Sequence, residues 1–260
     1  MSKKIADAFR RGKAFIPFIT AGDPDLSVTQ QLVLAMADAG ADLIEIGIPF
    51  SDPIAEGVVI QEADIRALAN GTTTDKVFEM TEQIREKSDV PLVYMTYLNI
   101  VYHYGYERFF QRCQKAGING IIIPDLPYEE KDECAAIASS YDVEVISMIA
   151  PTSRDRIQMI AREAKGFLYV VSSMGVTGVR SKITTDLKTI LGQIREVTDL
   201  PAAVGFGIST PEQAKEMASL SDGAIVGSAI VRLVAQYGKD AEQPVREYVK
   251  QMAEAVHSCS

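Results

Sequence analysis

The sequence contains no tryptophan, two histidines (His103 and His257) and three cysteines (Cys113, Cys134 and Cys259). The histidines stand far apart without neighbouring ligand residues, so a metal centre is not expected. The cysteines form no C-x-x-C pair and leave an odd one over, which argues for a reducing compartment rather than a disulfide framework. Nothing in Met1–Arg11 has the basic-then-apolar pattern of a secretory signal. No apolar run approaches the roughly 20 residues of a membrane helix, and the expected location is the cytoplasm. A nucleic-acid surface is excluded by a net charge of −9 and by basic residues scattered singly. A phosphate-binding P-loop is missing too.

What is present is ordinary in bulk, with 47% hydrophobic and 23% charged residues in a chain of 260. Its order along the chain is informative. Short β-rich runs alternate with segments of helical period, and the runs read as strands are Phe15–Ile19, Asp42–Ile48, Leu92–Thr96, Gly120–Ile123, Val143–Ile149, Phe167–Ser172, Ala202–Gly205 and Ala224–Val226. Several are apolar without alternation, as parallel strands buried on both faces are. Helical stretches such as Leu26–Ala39, Thr74–Lys87, Glu129–Ser140 and Arg154–Glu163 lie between them. Strand and helix repeated eight times with no break in composition predict an α/β fold, one (β/α)₈ TIM-barrel domain over residues 1–260. An extra N-terminal helix around Ile5–Arg11 is placed to cap the barrel bottom. Long connections are expected after strand 2 (Pro49 to about Thr73) and after strand 6 (Ser173 to about Ile183), on the face where barrels hold their chemistry.

Glu45 is the one charged residue in the run Leu43-Ile-Glu-Ile-Gly-Ile48. Burying an unpaired carboxylate costs several kcal/mol, and the same desolvation raises a carboxyl pKa into the range useful for acid–base work. A second acid, Glu56, follows in the loop Pro49–Gly57, and two carboxylates above one barrel mouth can divide two roles. Glycine-rich turns then follow strands 7 and 8. Gly205-Phe-Gly-Ile-Ser209 leads into Thr210-Pro-Glu-Gln213, with capping-box spacing and proline at the first helical position, while Gly227-Ser-Ala-Ile230 opens another helix. Bare backbone N–H groups at adjacent helix N-termini cradle phosphate in many barrels. They would also supply the local positive field that an acidic chain needs for an anionic substrate. The Gly205-x-Gly207 run is not a dinucleotide fingerprint, since the sixth position is Thr210. A Schiff-base aldolase is disfavoured because no proposed strand contains a lysine. The residues alone therefore point to a phosphate ester handled by carboxylates in an apolar pocket, which fits many barrel enzymes.

The motifs resemble the alpha subunit of tryptophan synthase over essentially the full length. The specific stretches are Leu43-Ile-Glu-Ile-Gly-Ile-Pro-Phe-Ser-Asp-Pro53, Gly175-Val-Thr-Gly178, Gly205-Phe-Gly-Ile-Ser209 and Gly227-Ser-Ala-Ile-Val231. That resemblance implies retro-aldol cleavage of indole-glycerol phosphate to indole and glyceraldehyde 3-phosphate. Glu45 would be the acid–base group, Glu56 the partner of the indole N–H and of the developing indoleninium charge, and Tyr169 a pocket tyrosine. Gly178, Gly207, Gly227 and Ser228 would form the phosphate cradle beside Phe206, with Phe18 and Tyr97 as pocket walls. The chain itself would carry no cofactor. Pyridoxal phosphate would belong to a beta subunit in an αββα assembly, faced by the strand-2 and strand-6 loops and the Asn99 region. The chain departs from the family at Ile54-Ala-Glu56-Gly-Val58, where members have Leu-Ala-Asp-Gly-Pro, and at Ser173-Met174, where some carry an arginine. The extra methylene of glutamate moves the carboxyl by about 1.5 Å, so two other readings stay open. One is a mainly regulatory alpha subunit with weak lyase activity, and the other is a different phosphate-binding barrel enzyme.

Overall fold

The computed structural model describes residues 3–171, 180–205 and 207–259. Eight parallel strands close into a barrel in chain order: β1 (Ala14–Thr20), β2 (Ile44–Gly47), β3 (Leu92–Met95), β4 (Gly120–Ile122), β5 (Glu144–Ile149), β6 (Lys165–Val171), β7 (Ala202–Gly205) and β8 (Gly223–Val226). Pairing of β1 with both β2 and β8 completes the ring. All eight strands lie where the sequence predicts them.

Side chains of a strand alternate between faces, so each barrel strand sends every second residue inward. One interior layer comprises Ile16, Leu43, Val93, Ile122, Ile146, Phe167, Ala203 and Ile225, all apolar. Two residues further along the same strands stand Phe18, Glu45, Met95, Met148 and Tyr169, nearer the C-terminal mouth. The outward residues, among them Ile44, Ile46, Tyr94, Ile121, Leu168, Val170, Val204 and Val226, pack against the surrounding helices in a second, larger core. This division explains why the strands read as continuous apolar runs, since both faces are buried.

The helices are α1 (Lys3–Ala8), α2 (Leu26–Asp38), α3 (Val58–Ala69), α4 (Thr74–Arg85), α5 (Leu98–Tyr104), α6 (Tyr106–Lys115), α7 (Lys131–Ser140), α8 (Arg154–Glu163), α9 (Arg180–Arg195), α10 (Pro211–Leu220), α11 (Ser228–Tyr237) and α12 (Glu242–His257). Side-chain caps start several of them. Asp25 accepts from Val28 N–H at 2.9 Å, and Thr210 and Gln213 form a reciprocal capping box on α10. The predicted bottom cap is present, though it is shorter than expected and runs Lys3–Ala8. Ile5 is fully buried among the interior residues of the strands' N-terminal ends, and Phe9 meets Phe167 with ring centroids 5.7 Å apart.

The connection after β2 differs from expectation. Pro49 to Thr73 is not one long loop, because α3 occupies Val58–Ala69 within it. Its buried residues are Ile60, Ala63, Asp64 and Ala67, an i, i+3, i+4, i+7 row. The row is hard to read in sequence because it opens on the β-branched Val58-Val59-Ile60 and carries a carboxylate in the middle. Most of the expected strand-6 loop lies outside the described residues, and α9 begins at Arg180 within its final part.

Ile5→Ala should destabilise the chain by about 2–5 kcal/mol, the usual cost of emptying a buried aliphatic site. Urea unfolding followed by circular dichroism measures it; a loss below about 1 kcal/mol would mean the plug contributes little beyond covering the opening.

Candidate active site

A cavity of about 340 Å³ opens at the C-terminal mouth of the barrel, lined by residues from β1, β2, β3, β6, β8, the loop before α3, and the turns after β7 and β8. This is within the range of ligand sites, about 300–1,000 Å³. A larger depression of about 840 Å³ lies near Lys131, Glu144 and Gly166 at the opposite end. It is lined by residues of α7, β5 and β6 and their flanks, and the convergence of polar groups from many strands is at the mouth cavity instead.

Register carries Glu45 into this cavity. It pairs with Phe18 of β1 and Val93 of β3 and shares the inward face with Leu43, one layer higher. The residue is 1% exposed, and its Oε1 is buried without a hydrogen-bond partner among the described residues. Burial alone pushes its pKa up to about 8, so near neutral pH the carboxyl is mostly protonated yet readily ionised. Tyr169 faces the same space from β6. Its phenol is raised well above the usual value by burial and then by the neighbouring Glu45 carboxylate, so it stays a neutral donor.

Glycines make room for the rings beside Glu45. A Cβ on Gly205 would stand 2.4 Å from the Tyr169 hydroxyl, and one on Gly47 would stand 2.7 Å from Phe18. Phe18 also packs over Gly227, where a Cβ would meet it at 3.3 Å. These positions therefore stay glycine because aromatic side chains occupy the space that a Cβ would need.

At the other end of the cavity are Gly207, Ile208 and Ser209 after β7, and Gly227, Ser228 and Ala229 after β8. Gly207 has φ +76°, which L side chains rarely adopt. The two helix starts differ. On α10 the amides of Ser209 and Thr210 both donate to Gln213 Oε1, at 2.9 and 3.2 Å, so its capping box closes that end upon itself. On α11 no side chain caps the start, and the helix's first bonds to Gly227 O come from Ile230 and Val231. The amides of Ser228 and Ala229 precede those bonds and border the cavity, leaving α11 as the helix end able to bind an anion. Arg232, one turn on from Ser228, adds a guanidinium to the same wall, and the Tyr248 hydroxyl of α12 donates to Ser209 O at 3.0 Å. Gly178 and Phe206, also expected here, lie outside the described residues.

Glu56 lines the cavity from the loop before α3. The loop is tied down on both sides, since Ala55 N–H donates to the Tyr97 hydroxyl at 2.9 Å and Gln61 Nε2 donates to Glu56 O at 2.8 Å. Tyr97 thus stands one step behind the cavity, stacked against Phe50 at 5.3 Å, as a prop for the loop rather than a lining residue. Behind Glu56 is Asp64 of α3, 4% exposed and within hydrogen-bond reach of the Glu56 carboxyl. Burial, then the Glu56 charge, pushes Asp64 up to about 9; burial also raises Glu56, against the bond from Asp64. Sequence reading missed Asp64 and Arg232. The signal for Arg232 was its i+4 spacing from Ser228, and for Asp64 its place in a buried helical row.

Among the described residues, no group of three or more potential ligands is placed to hold a metal ion, and no helix is long and apolar enough to cross a membrane.

Comparison with known proteins gives consistent matches. The tryptophan synthase alpha chain family matches residues 6–258. The tryptophan synthase alpha chain of Lacticaseibacillus casei is 50% identical over 256 residues, covering 98% of this chain and 96% of that one. That of Caldanaerobacter subterraneus is 46% identical over 98% of this chain and 99% of its own. Among solved structures, the alpha subunit from Legionella pneumophila superposes with a TM-score of 0.88 at 37% identity, covering 98% of both chains. A chain from the tryptophan synthase a2b2 complex of Pyrococcus furiosus does so at 0.85 and 35% identity, covering 94% of this chain and 99% of its own. Matches of this extent, on a closed barrel with Glu45 and the bare turns of β7 and β8 at one mouth, establish that the chain belongs to the tryptophan synthase alpha chain family.

Proposed function

We propose that Glu45, Glu56 and Tyr169 carry out the retro-aldol cleavage by which a tryptophan synthase alpha chain converts indole-glycerol phosphate into indole and glyceraldehyde 3-phosphate. The observation that carries this assignment is the Glu45 carboxyl, buried without a counter-charge among the described residues and raised to about 8 at the cavity wall. A carboxyl held there is protonated in the resting site and can give its proton to the indole C3 carbon. The resulting carboxylate takes the proton of the glycerol hydroxyl as the bond between C3 and the hydroxyl-bearing carbon breaks. That bond's electrons return to the ring, the carbinol carbon becomes the aldehyde, and Glu45 ends protonated as it began. Glu56 accepts from the indole N–H and offsets the positive charge on the ring after C3 is protonated. Tyr169 donates as a neutral phenol beside Glu45, and Phe18 with Ile60 and Met95 forms the apolar wall for the ring.

The phosphate sits at the start of α11, on the amides near Ser228, with Gly207 leaving the facing turn open and Arg232 supplying the nearby cation. Indole passes to a beta subunit, which holds the pyridoxal phosphate of the second reaction. Exposed apolar side chains support a partner at this face: Ile54, Val58 and Ile65 on the loop and α3 are 80%, 66% and 66% exposed, and Tyr102 on α5 is 71% exposed. They stand in or near the strand-2 loop and the Asn99 region.

Glu45→Gln should lower cleavage about 10²–10⁴-fold while leaving phosphate affinity nearly intact. It should also stabilise the chain. The folded-state value of about 8 lies above the ordinary 4.5, so the folded chain holds a proton that the unfolded chain releases. Stability contributed by this group is therefore present at low pH and declines as pH rises from about 4.5 to about 8. The Tm of Glu45→Gln relative to the parent should rise across that window. Substantial turnover by the variant, in single-turnover assays of indole release, would show that another group moves the proton.

Gly207→Val should weaken inorganic phosphate and substrate together, through both its strained φ and its side-chain bulk, whereas Arg232→Leu should weaken them less. Calorimetric titration with phosphate decides this. The backbone reading fails if Gly207→Val binds phosphate normally and Arg232→Leu does not.

A further inference from the structure

The segment from Glu56 to Arg66 gathers acids in a way that cleavage chemistry alone does not require. Asp23, after β1, is 2% exposed and is held by Arg66 in a two-pronged pair, Nε to Oδ1 at 2.8 Å and Nη2 to Oδ2 at 2.7 Å. That pair is self-contained, and donating to the Asp23 carboxylate raises the Arg66 pKa. Asp64 lies between it and Glu56, feels the charges of both acids, and has no arginine or lysine of its own among the described residues. It accepts from the Phe50 backbone, which leaves its carboxyl free to act as a donor toward Glu56. Glu56 needs one, because its Oε2 is buried and receives no hydrogen bond from any amide, hydroxyl or amine among the described residues.

We propose that Asp64 is a positioning residue for Glu56: the two carboxyl groups hold one proton between them, with Asp64 as donor and Glu56 as the ionised acceptor. Two buried carboxylates in contact do not both ionise cheaply, and a shared proton removes the repulsion while giving the pair a directed bond. The site then presents a single negative charge from this pair to the indole ring although a second acid, Asp64, stands directly behind Glu56. The length of glutamate serves this arrangement. Its backbone is fixed by the Tyr97 hydroxyl and by Gln61, so the side chain spans from the pinned loop to α3 and to the cavity at once. Among the described residues, the other charged or titratable groups around the pair are Asp23, Arg66 and Glu62 on the protein side, the Tyr97 hydroxyl next to the loop, and Glu45, Tyr169 and Arg232 lining the same cavity. Asp23 is neutralised by Arg66, so beside the protonated Glu45 it is the Glu56–Asp64 pair that retains a proton.

The proposal rests on the reading of Glu56 as a catalytic residue, and the test separates the two. The full chain and its variants, saturated with a beta subunit, are assayed for single-turnover indole release from indole-glycerol phosphate across pH. Asp64→Asn keeps the shape and an N–H donor, and should retain the rate near neutral pH within about threefold. Asp64→Leu removes the donor and should lower kcat at least tenfold with little change in KM, since the Glu56 charge acts mainly in the transition state. At alkaline pH, where the parent pair loses its proton near about pH 9, Asp64→Asn should keep a larger share of its neutral rate than the parent does. The decline due to Glu45 is common to both. Thermal unfolding gives a readout independent of activity and shows whether each variant is folded. Asp64 titrates near 9 when folded against an ordinary 3.8, so the parent loses stability as pH rises between those values, and Asp64→Asn should gain Tm over it across that window. A folded Asp64→Leu with the parental kcat, or an Asp64→Asn as impaired as Asp64→Leu, overturns the proposal. Glu56→Gln tells which reading has failed. If it too leaves cleavage unchanged, Glu56 is not catalytic; if it abolishes cleavage while Asp64→Leu does not, only the role of Asp64 falls.

Discussion

Closure of eight parallel strands forces every second side chain into a confined interior, and the site depends on that constraint. One layer of the interior is apolar throughout, from Ile16 and Leu43 round to Ala203 and Ile225, with Ile5 sealing it from below. The layer above is built from the same strands and the same alternation, so a carboxylate placed there has low-dielectric material beneath it and water on one side at most. Glu45 occupies that position, and among the described residues no cation offsets its burial. Its raised pKa is a direct result of where the strand period puts it. Maintaining such a group against its desolvation cost, several kcal/mol for a buried charge, requires the packing of the whole barrel rather than any single contact.

Much of this was legible in the sequence for the same reason. Strands buried on both faces read as unbroken apolar runs, and a lone Glu45 inside one of them signals either a fault or a function. Caps such as Thr210 with Gln213 are local chemistry and could be read directly. For Asp64 the buried helical row signalled only that it is buried, because its contact with Glu56 is tertiary and no spacing encodes it, and because its helix opens on three β-branched residues. The capping box carried a second lesson. It correctly marks the start of α10, yet it also consumes the amides of Ser209 and Thr210 that an anion would need. A good cap and a good anion site compete for the same N–H groups. The uncapped start of α11 is the better candidate because its sequence, Gly227-Ser228-Ala229, is the weaker capping signal.

Charge at the site follows from these local choices more than from the net charge of −9. An acidic chain that accepts a phosphate ester needs a field reversed within a few ångströms. In the proposed site the bare end of α11 and the Arg232 guanidinium supply it at one end of the cavity. The opposite end needs enough negative charge to stabilise a protonated indole ring, but not so much that the anionic substrate is repelled. Counted as residues, Glu45, Glu56, Asp64 and Asp23 would place four negative charges near the mouth. Burial keeps Glu45 mostly protonated near neutral pH, Arg66 cancels Asp23, and one proton shared by Glu56 and Asp64 removes another. On the proposed pairing a single charge then remains, on Glu56. On this view the replacement of the family's aspartate by Glu56 is not an isolated lengthening. A longer side chain on a loop pinned at Ala55 reaches a buried acid behind it, and only with that acid as donor does the extra methylene leave the carboxylate where the ring can use it.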